Sequence, residues 1–180
     1  MRASSELSEH ESKRQRLLVE AARACFLRFG YQKTSLDDIA REAGLSRPLI
    51  YRSFKNKADI FAAVFEHTFE HHWPVAEAAA SGRGSKRDKL LRVYDVLLIE
   101  PWEEISQGPM LADYYKALER LVPSAKARHE KLKLRTTESI LGDRELAQVF
   151  ILSVEGLLSD LPSVRTLRRR LELLVDRFVS

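Results

Sequence analysis

The chain has 180 residues, of which 44% are hydrophobic and 31% charged, with seven glycines, six prolines and one cysteine. That length suits one sizeable core or a small domain fused to a larger one, and the lack of alternating β-branched runs makes an all-α fold the expectation. Cys25 stands alone, so an intramolecular disulfide and a multi-cysteine metal site are excluded, and no apolar run reaches the ~20 residues of a membrane span. The polar N-terminus has no signal-peptide core, so a cytoplasmic protein without membrane partners is expected.

The net charge is +4, and its placement is uneven. Residues 1–60 hold 12 Lys/Arg against 8 Asp/Glu, whereas residues 61–180 hold 18 of each. An excess of positive charge confined to the first third is the footprint expected of a phosphate-binding surface.

Residues 1–11 are polar and aperiodic and read as a disordered lead-in. A first helix is expected from Ser12 to Phe29, with Leu18, Ala22, Cys25, Phe26 and Phe29 on its buried side and Gly30 as its stop. Cys25 on that face reads as a core residue. Thr34 is then assigned as an N-cap, with Asp37 closing a capping box, and Leu36, Ile39, Ala40 and Ala43 form one apolar stripe. Gly44 permits the positive φ of a helix stop. Ser46 caps the next helix, and Pro48 falls in its first turn, where no internal N–H bond is lost. Ile50 and Phe54 face inward with Leu45, which leaves Arg47, Tyr51 and Arg52 outward.

Small Ala40, Gly44 four residues on and Ile50 six further give the sterics of a helix-turn-helix over residues 34–53. Residues 43–58 contain no acid, so the outward face is of one sign, with Arg47, Arg52 and Lys55 among neutral Ser46, Tyr51 and Ser53. Asn56 caps a further helix with Asp59. Lys57 lies in its first turn, where the helix dipole disfavours a cation, and this placement suggests a DNA phosphate as its partner.

That helix continues through Phe61, Val64, Phe65, Phe69 and Trp73 to a bend at Pro74, and residues 76–85 read as a frayed end and flexible link. Helices are expected at 86–99, from Pro109 through Leu121, and from Pro123 to Leu141, with a broken stretch at 101–108. Two closing helices, 143–159 and 163–179, are apolar on more than one side, so one side of each implies a partner helix. Arg168–Arg170 read as a solvated face. His67 and His71, at i and i+4, share a helix face and could hold a metal, which would suit a metal-dependent enzyme or a metal sensor. There is no HExxH pattern, phosphate loop or nucleophile elbow, so no catalytic residues and no cofactor are assigned.

The segment from Lys13 to Phe65 resembles the DNA-binding domain of the TetR (tetracycline repressor) family of bacterial regulators. The resemblance rests on RLLVEAARACFLRFGY followed by TSLDDIAREAGLSRPLIYRSFKNKADIFAAVF. It departs at Ser53, where the family usually carries a histidine or an aromatic residue, and at Pro48. The resemblance implies an all-α chain of about nine helices. Residues 12–56 would form a three-helix DNA-binding domain, and residues 57–180 a ligand-binding and dimerisation domain. DNA contacts would come from Thr34, Ser35, Ser46, Arg47, Pro48, Leu49, Tyr51, Arg52, Lys55 and Lys57. Arg47 and Arg52 would read base edges, while Lys55 and Lys57 would hold phosphates. The last two helices would pair with a second copy through Phe150, Val154, Leu157, Leu171, Leu174 and Phe178. A small-molecule effector, mostly apolar and neutral or cationic, would sit among Phe65, Phe69, Trp73, Trp102, Met110 and Tyr114. The implied function is a regulator, most simply a repressor, released from a near-palindromic operator by that effector. An architectural DNA binder without effector is the alternative, and about 110 residues beyond the reading domain are more than dimerisation requires.

Overall fold

A computed structural model describes the backbone of residues 2–179 and the side chains of residues 11–179. Among the described residues every regular element is helical. They are α1 (Arg2–Phe29), α2 (Leu36–Ala43), α3 (Arg47–Ser53), α4 (Lys57–Glu70), α5 (His72–Ser81), α6 (Lys86–Tyr94), a π-helical turn (Asp95–Ile99), α7 (Glu100–Ser106), α8 (Leu111–Leu121), α9 (Pro123–Leu141), α10 (Arg144–Gly156) and α11 (Val164–Phe178). Helix runs through Lys86–Ser106 without a gap, and only His71 separates α4 from α5, so merging these gives nine helical rods. The chain forms two compact units. One extends to His67 and also takes in Gly108–Ala125; the other comprises Thr68–Gln107 and the chain from Lys126 onward.

In the first unit α1 buries Leu18, Val19, Ala22, Cys25 and Phe26. Burial also pushes the Cys25 thiol up from its ordinary pKa, which keeps it unreactive. Phe61 of α4 is the hub, with ring centroids 5.2 Å from Phe26, 5.3 Å from Tyr31 and 5.1 Å from Tyr114. Such aromatic pairs each add about 0.5–1.5 kcal/mol beyond their buried area. Phe29 departs from the sequence reading: it is 40% exposed, with the Arg28 guanidinium 5.0 Å above its ring. It occupies the final residue of α1, where the helix has stopped presenting its face to a neighbour. The helix also runs back to Arg2, through the segment expected as a lead-in.

Gly30, at φ 82°, turns the chain sharply after α1. The Tyr31 N–H donates to Asp113 Oδ2 at 2.7 Å, and a Cβ on Gly30 would lie 2.8 Å from that same oxygen. Met110 N–H donates to the Leu27 carbonyl, so α8 is tied to the end of α1 at two points.

In the second unit Leu90, Val93, Tyr94, Ile99, Trp102, Phe150, Leu167 and Val175 form the core. The Tyr94 hydroxyl meets that of Thr137 at 2.8 Å, and the Trp102 indole N–H donates to the Pro162 carbonyl at 2.9 Å, so both buried polar groups are satisfied. Two stretches expected to be irregular are helical. Alanine-rich residues 76–81 lie within α5, where alanine's helix propensity prevails, and residues 101–106 lie within α7, whose Pro101 falls in the first turn. In the basic run, Arg168 bonds Asp95 and Arg170 grips Asp160 with two bonds of 2.6 and 2.7 Å.

Candidate nucleic-acid interface

The helix-turn-helix begins one residue later than the sequence suggests. Ser35 is the N-cap of α2, with its hydroxyl accepting from the Asp38 N–H and the Asp38 carboxylate accepting from the Ser35 N–H. Thr34 is buried, and its hydroxyl is directed to the Gly30 carbonyl at 2.7 Å and the Cys25 carbonyl at 3.2 Å. It therefore finishes α1 instead of starting α2, and it presents no side chain to a phosphate.

Gly44 closes α2 at φ 63°. Its N–H bonds to the Arg41 carbonyl, and the Leu45 N–H reaches back to the Ala40 carbonyl at 2.9 Å. This paired pattern satisfies the last carbonyls and aims the chain into α3. Ser46 holds the N-cap position of α3 without a side-chain capping bond, Pro48 occupies the first turn, and Ile50 is fully buried against the rest of the unit. One anchored residue on a two-turn helix leaves the opposite face in solvent: Arg47, Pro48, Tyr51, Arg52 and Ser53 are exposed, as is Lys55 beyond the helix end, while Leu49 is half-buried.

Arg47 is held in place on this face. Its Nη1 donates to Asp37 Oδ2 at 3.3 Å, its Nη2 donates to the Tyr51 hydroxyl at 3.3 Å, and its guanidinium lies 5.7 Å from the Tyr51 ring centroid. The sequence reading did not assign Asp37 this task; an acid ten residues upstream becomes a neighbour only once the turn is formed.

Lys57 has a different use from the one expected. Its ammonium donates to the carbonyls of Tyr31 at 2.7 Å, Thr34 at 2.8 Å and Gln32 at 3.2 Å, and it lies 4.5 Å from the Tyr31 ring centroid. Three N–H donors meet three acceptors, so no donor remains for a DNA phosphate. Desolvation holds its pKa below the usual lysine value. The unfavourable dipole position did mark a special lysine, but the oxygens it satisfies belong to the protein's own α1–α2 turn.

The six residues expected to line an effector cavity divide between the two units. In the first, Tyr114 and Phe65 are buried and Met110 packs beside Gly30. In the second, Trp102 is core, whereas Phe69 and Trp73 meet His129 of α9. The Trp73 indole N–H donates to His129 Nδ1 at 2.6 Å, and the Phe69 ring centroid is 4.6 Å from that of His129. His72 bonds the Thr68 carbonyl and lies 3.4 Å from Glu100.

Among the residues expected at the dimer interface, Phe150, Val154 and Leu171 are buried within the protomer, and Leu157, Leu174 and Phe178 are half-buried. The exposed apolar residues of the closing helices are instead Leu146, Val149 and Leu152, three apart along α10, and Leu173 on α11, with Leu152 at 68% exposure. Both helices are apolar on two sides, and periodicity alone did not say which side the protomer's own core takes.

Residues 18–64 match the family model of bacterial regulatory proteins, tetR family. The HTH-type transcriptional regulator TtgR of Pseudomonas putida is 35% identical over 88 residues, covering 46% of this chain and 42% of that protein. AcrR of Shigella flexneri, also an HTH-type transcriptional regulator, is 41% identical over 58 residues, covering 32% of this chain and 26% of that one. The chain thus spans less than half the length of these curated relatives. Among solved structures, SmeT, the repressor of the Stenotrophomonas maltophilia multidrug efflux pump SmeDEF, aligns with a TM-score of 0.67 at 23% identity, over 91% of this chain and 87% of that one. SmeT in complex with triclosan aligns with a TM-score of 0.65 at 21% identity, over 92% and 90% of the two chains. At these identities the structural likeness is one of fold.

Proposed function

We propose, from the premise that residues 18–64 make this chain a member of the TetR family of bacterial regulators, that the protein is a sequence-specific DNA-binding transcriptional regulator. The observation that carries the reading is the outward face of α3. It presents Arg47 and Arg52 beside the neutral Tyr51 and Ser53, and Ile50 anchors the helix from behind. A short exposed helix of this charge suits the major groove, where arginine can bond guanine O6 and N7 in a bidentate fashion. Ser35, Ser46, Tyr51 and Lys55 are the candidates for phosphate contacts, and DNA binding is assigned to residues 12–56.

Residues 57–180 are assigned to dimerisation and effector binding. The pairing face we favour is Leu146, Val149, Leu152 and Leu173, whose exposure a second copy would relieve. Two copies related by a two-fold axis would read a near-palindromic operator. Phe69, Trp73 and His129 form the aromatic site we favour for an apolar effector, and the SmeT–triclosan complex supports a small-molecule ligand as the class. An effector preferring the DNA-incompetent conformation would release the operator, in the manner of a repressor.

Selection from a pool of random DNA duplexes tests the reading. The pool is expected to converge on a near-palindrome with two half-sites; retention without sequence enrichment would leave only a non-specific DNA binder.

A further inference from the structure

We infer that α4 ends in a binding site for a divalent transition-metal ion of the zinc class, held by His67, Glu70 and His71. Each of the three offers one ligand atom, and these atoms all lie within 4.8 Å of one another. Among the described residues, this is the set of three His, Cys, Asp or Glu side chains that comes together closely enough to share an ion. Such binding needs no DNA, and it stands or falls apart from any reading of an operator by α3.

The backbone fixes the spacing. α4 buries Ile60, Phe61, Val64 and Phe65, which sets its rotation and leaves His67 half-buried and Glu70 in solvent. His71 follows the last residue of α4 at φ −88° and ψ −22°, still in the right-handed helical region. The helical phase therefore runs on past Glu70, and His71 stands one turn beyond His67 on the same face. Residues so spaced have Cβ atoms about 5–6 Å apart, and Glu70, three residues after His67, closes the third corner. Tetrahedral zinc, with bonds of about 2.0–2.1 Å to nitrogen, needs donors ~3.3 Å apart. Exposed Glu70 and His71 can close on an ion beside His67 by rotating about their side-chain bonds.

The donor set selects the ion. Two imidazoles and one carboxylate suit Zn²⁺, Co²⁺, Ni²⁺ and Cu²⁺, whereas Mg²⁺ and Ca²⁺ prefer all-oxygen shells. Once one imidazole has bound, the other adds as an intramolecular ligand at high effective concentration, an advantage that scattered surface histidines lack. Three protein ligands leave a coordination position for water, so the site is of the open kind and not a closed four-ligand one. Nearby histidines serve other partners. His72 bonds the Thr68 carbonyl and lies 3.4 Å from Glu100, and His129 Nδ1 accepts from the Trp73 indole.

Calorimetric titration of the untagged full chain with zinc chloride tests this, with a parallel cobalt(II) titration followed by visible absorption. One zinc ion per chain is expected, with a cobalt spectrum of a nitrogen–oxygen shell, and millimolar Mg²⁺ should not compete. His71→Ala removes an exposed side chain, so the fold should hold while zinc affinity falls by roughly tenfold or more. Glu70→Gln should weaken zinc several-fold, while Glu66→Gln, whose carboxylate is outside the cluster, should hold affinity within about twofold. Zinc should raise the melting temperature of the natural chain and leave that of His71→Ala unmoved. Absence of binding at about 0.1 mM free zinc would overturn the inference. So would unchanged affinity in His71→Ala, displacement by Mg²⁺, or equal losses in the Glu66 and Glu70 variants.

Discussion

The two units match their buried polar groups alike and differ in what they leave at the surface. In the first, the polar groups around the α1–α2 turn are matched inside the protein: Lys57 on three carbonyls, Thr34 on two, Asp113 on the Tyr31 N–H, and Ser35 with Asp38. What remains outward on α3 is positively charged. In the second unit the open chemistry is an apolar stripe along α10, at Leu146, Val149 and Leu152. A finished body with one charged face suits a fixed geometry such as a DNA groove. A body with an exposed apolar stripe suits a partner that covers it.

The largest expected effect breaks the apolar stripe. Val149→Asp combined with Leu152→Asp would bury two unpaired carboxylates in any dimer that uses this face, at a cost of several kcal/mol. Both positions are exposed in the protomer, so the chain should fold with its helicity intact and sediment as a monomer. A dimer that persists would place the pairing surface elsewhere.

Next is the lysine staple. Lys57→Ala removes three charge-assisted bonds from the turn that positions α2, and the expected destabilisation is about 1–2 kcal/mol, allowing for a head group partly open to solvent. Thermal unfolding measures this directly. The dependence of DNA affinity on salt should keep its slope to within a fraction of a unit, because no phosphate contact has been lost. A slope lower by about one, with unchanged stability, would return Lys57 to the DNA.

The smallest expected effect concerns Asp37. Its carboxylate holds the Arg47 guanidinium at the protein surface, and Asp37→Asn should release it. Affinity for random-sequence DNA is expected to rise by less than about threefold, the scale of an exposed ion pair. A fall in that affinity would mean that Asp37 supports binding instead of restraining it.

How far the sequence was legible follows the same division. The first unit could be read because its signals are local: Gly44, the cap before α2 and the spacing from Ala40 to Ile50 all lie between Thr34 and Ile50. Even there, Thr34 and Ser35 are both good caps, and the choice between them was made by carbonyls at the end of α1. Lys57 was recognisable as out of place, but its partners lie 23–26 residues away and appear only after folding. In the second unit, the two closing helices were legible as helices, and Asp143 and Ser163, the first residues of those stretches, cap α10 and α11. Which side faces inward depended on neighbours that periodicity cannot name. Trp102 and Tyr114 stand in the core, and no composition rule separates an aromatic residue that fills space from one that surrounds a ligand.

The central claim is that α3 reads sequence and that Arg47 carries part of that reading. The most direct measurement is the affinity of Arg47→Ala for the selected duplex and for a scrambled duplex of equal length, at one fixed salt concentration. The account predicts that binding to the selected duplex weakens about ten- to a hundredfold, with binding to the scrambled duplex changing far less. Equal losses on the two duplexes would contradict it, because Arg47 would then be a phosphate contact and the reading would lie in other residues.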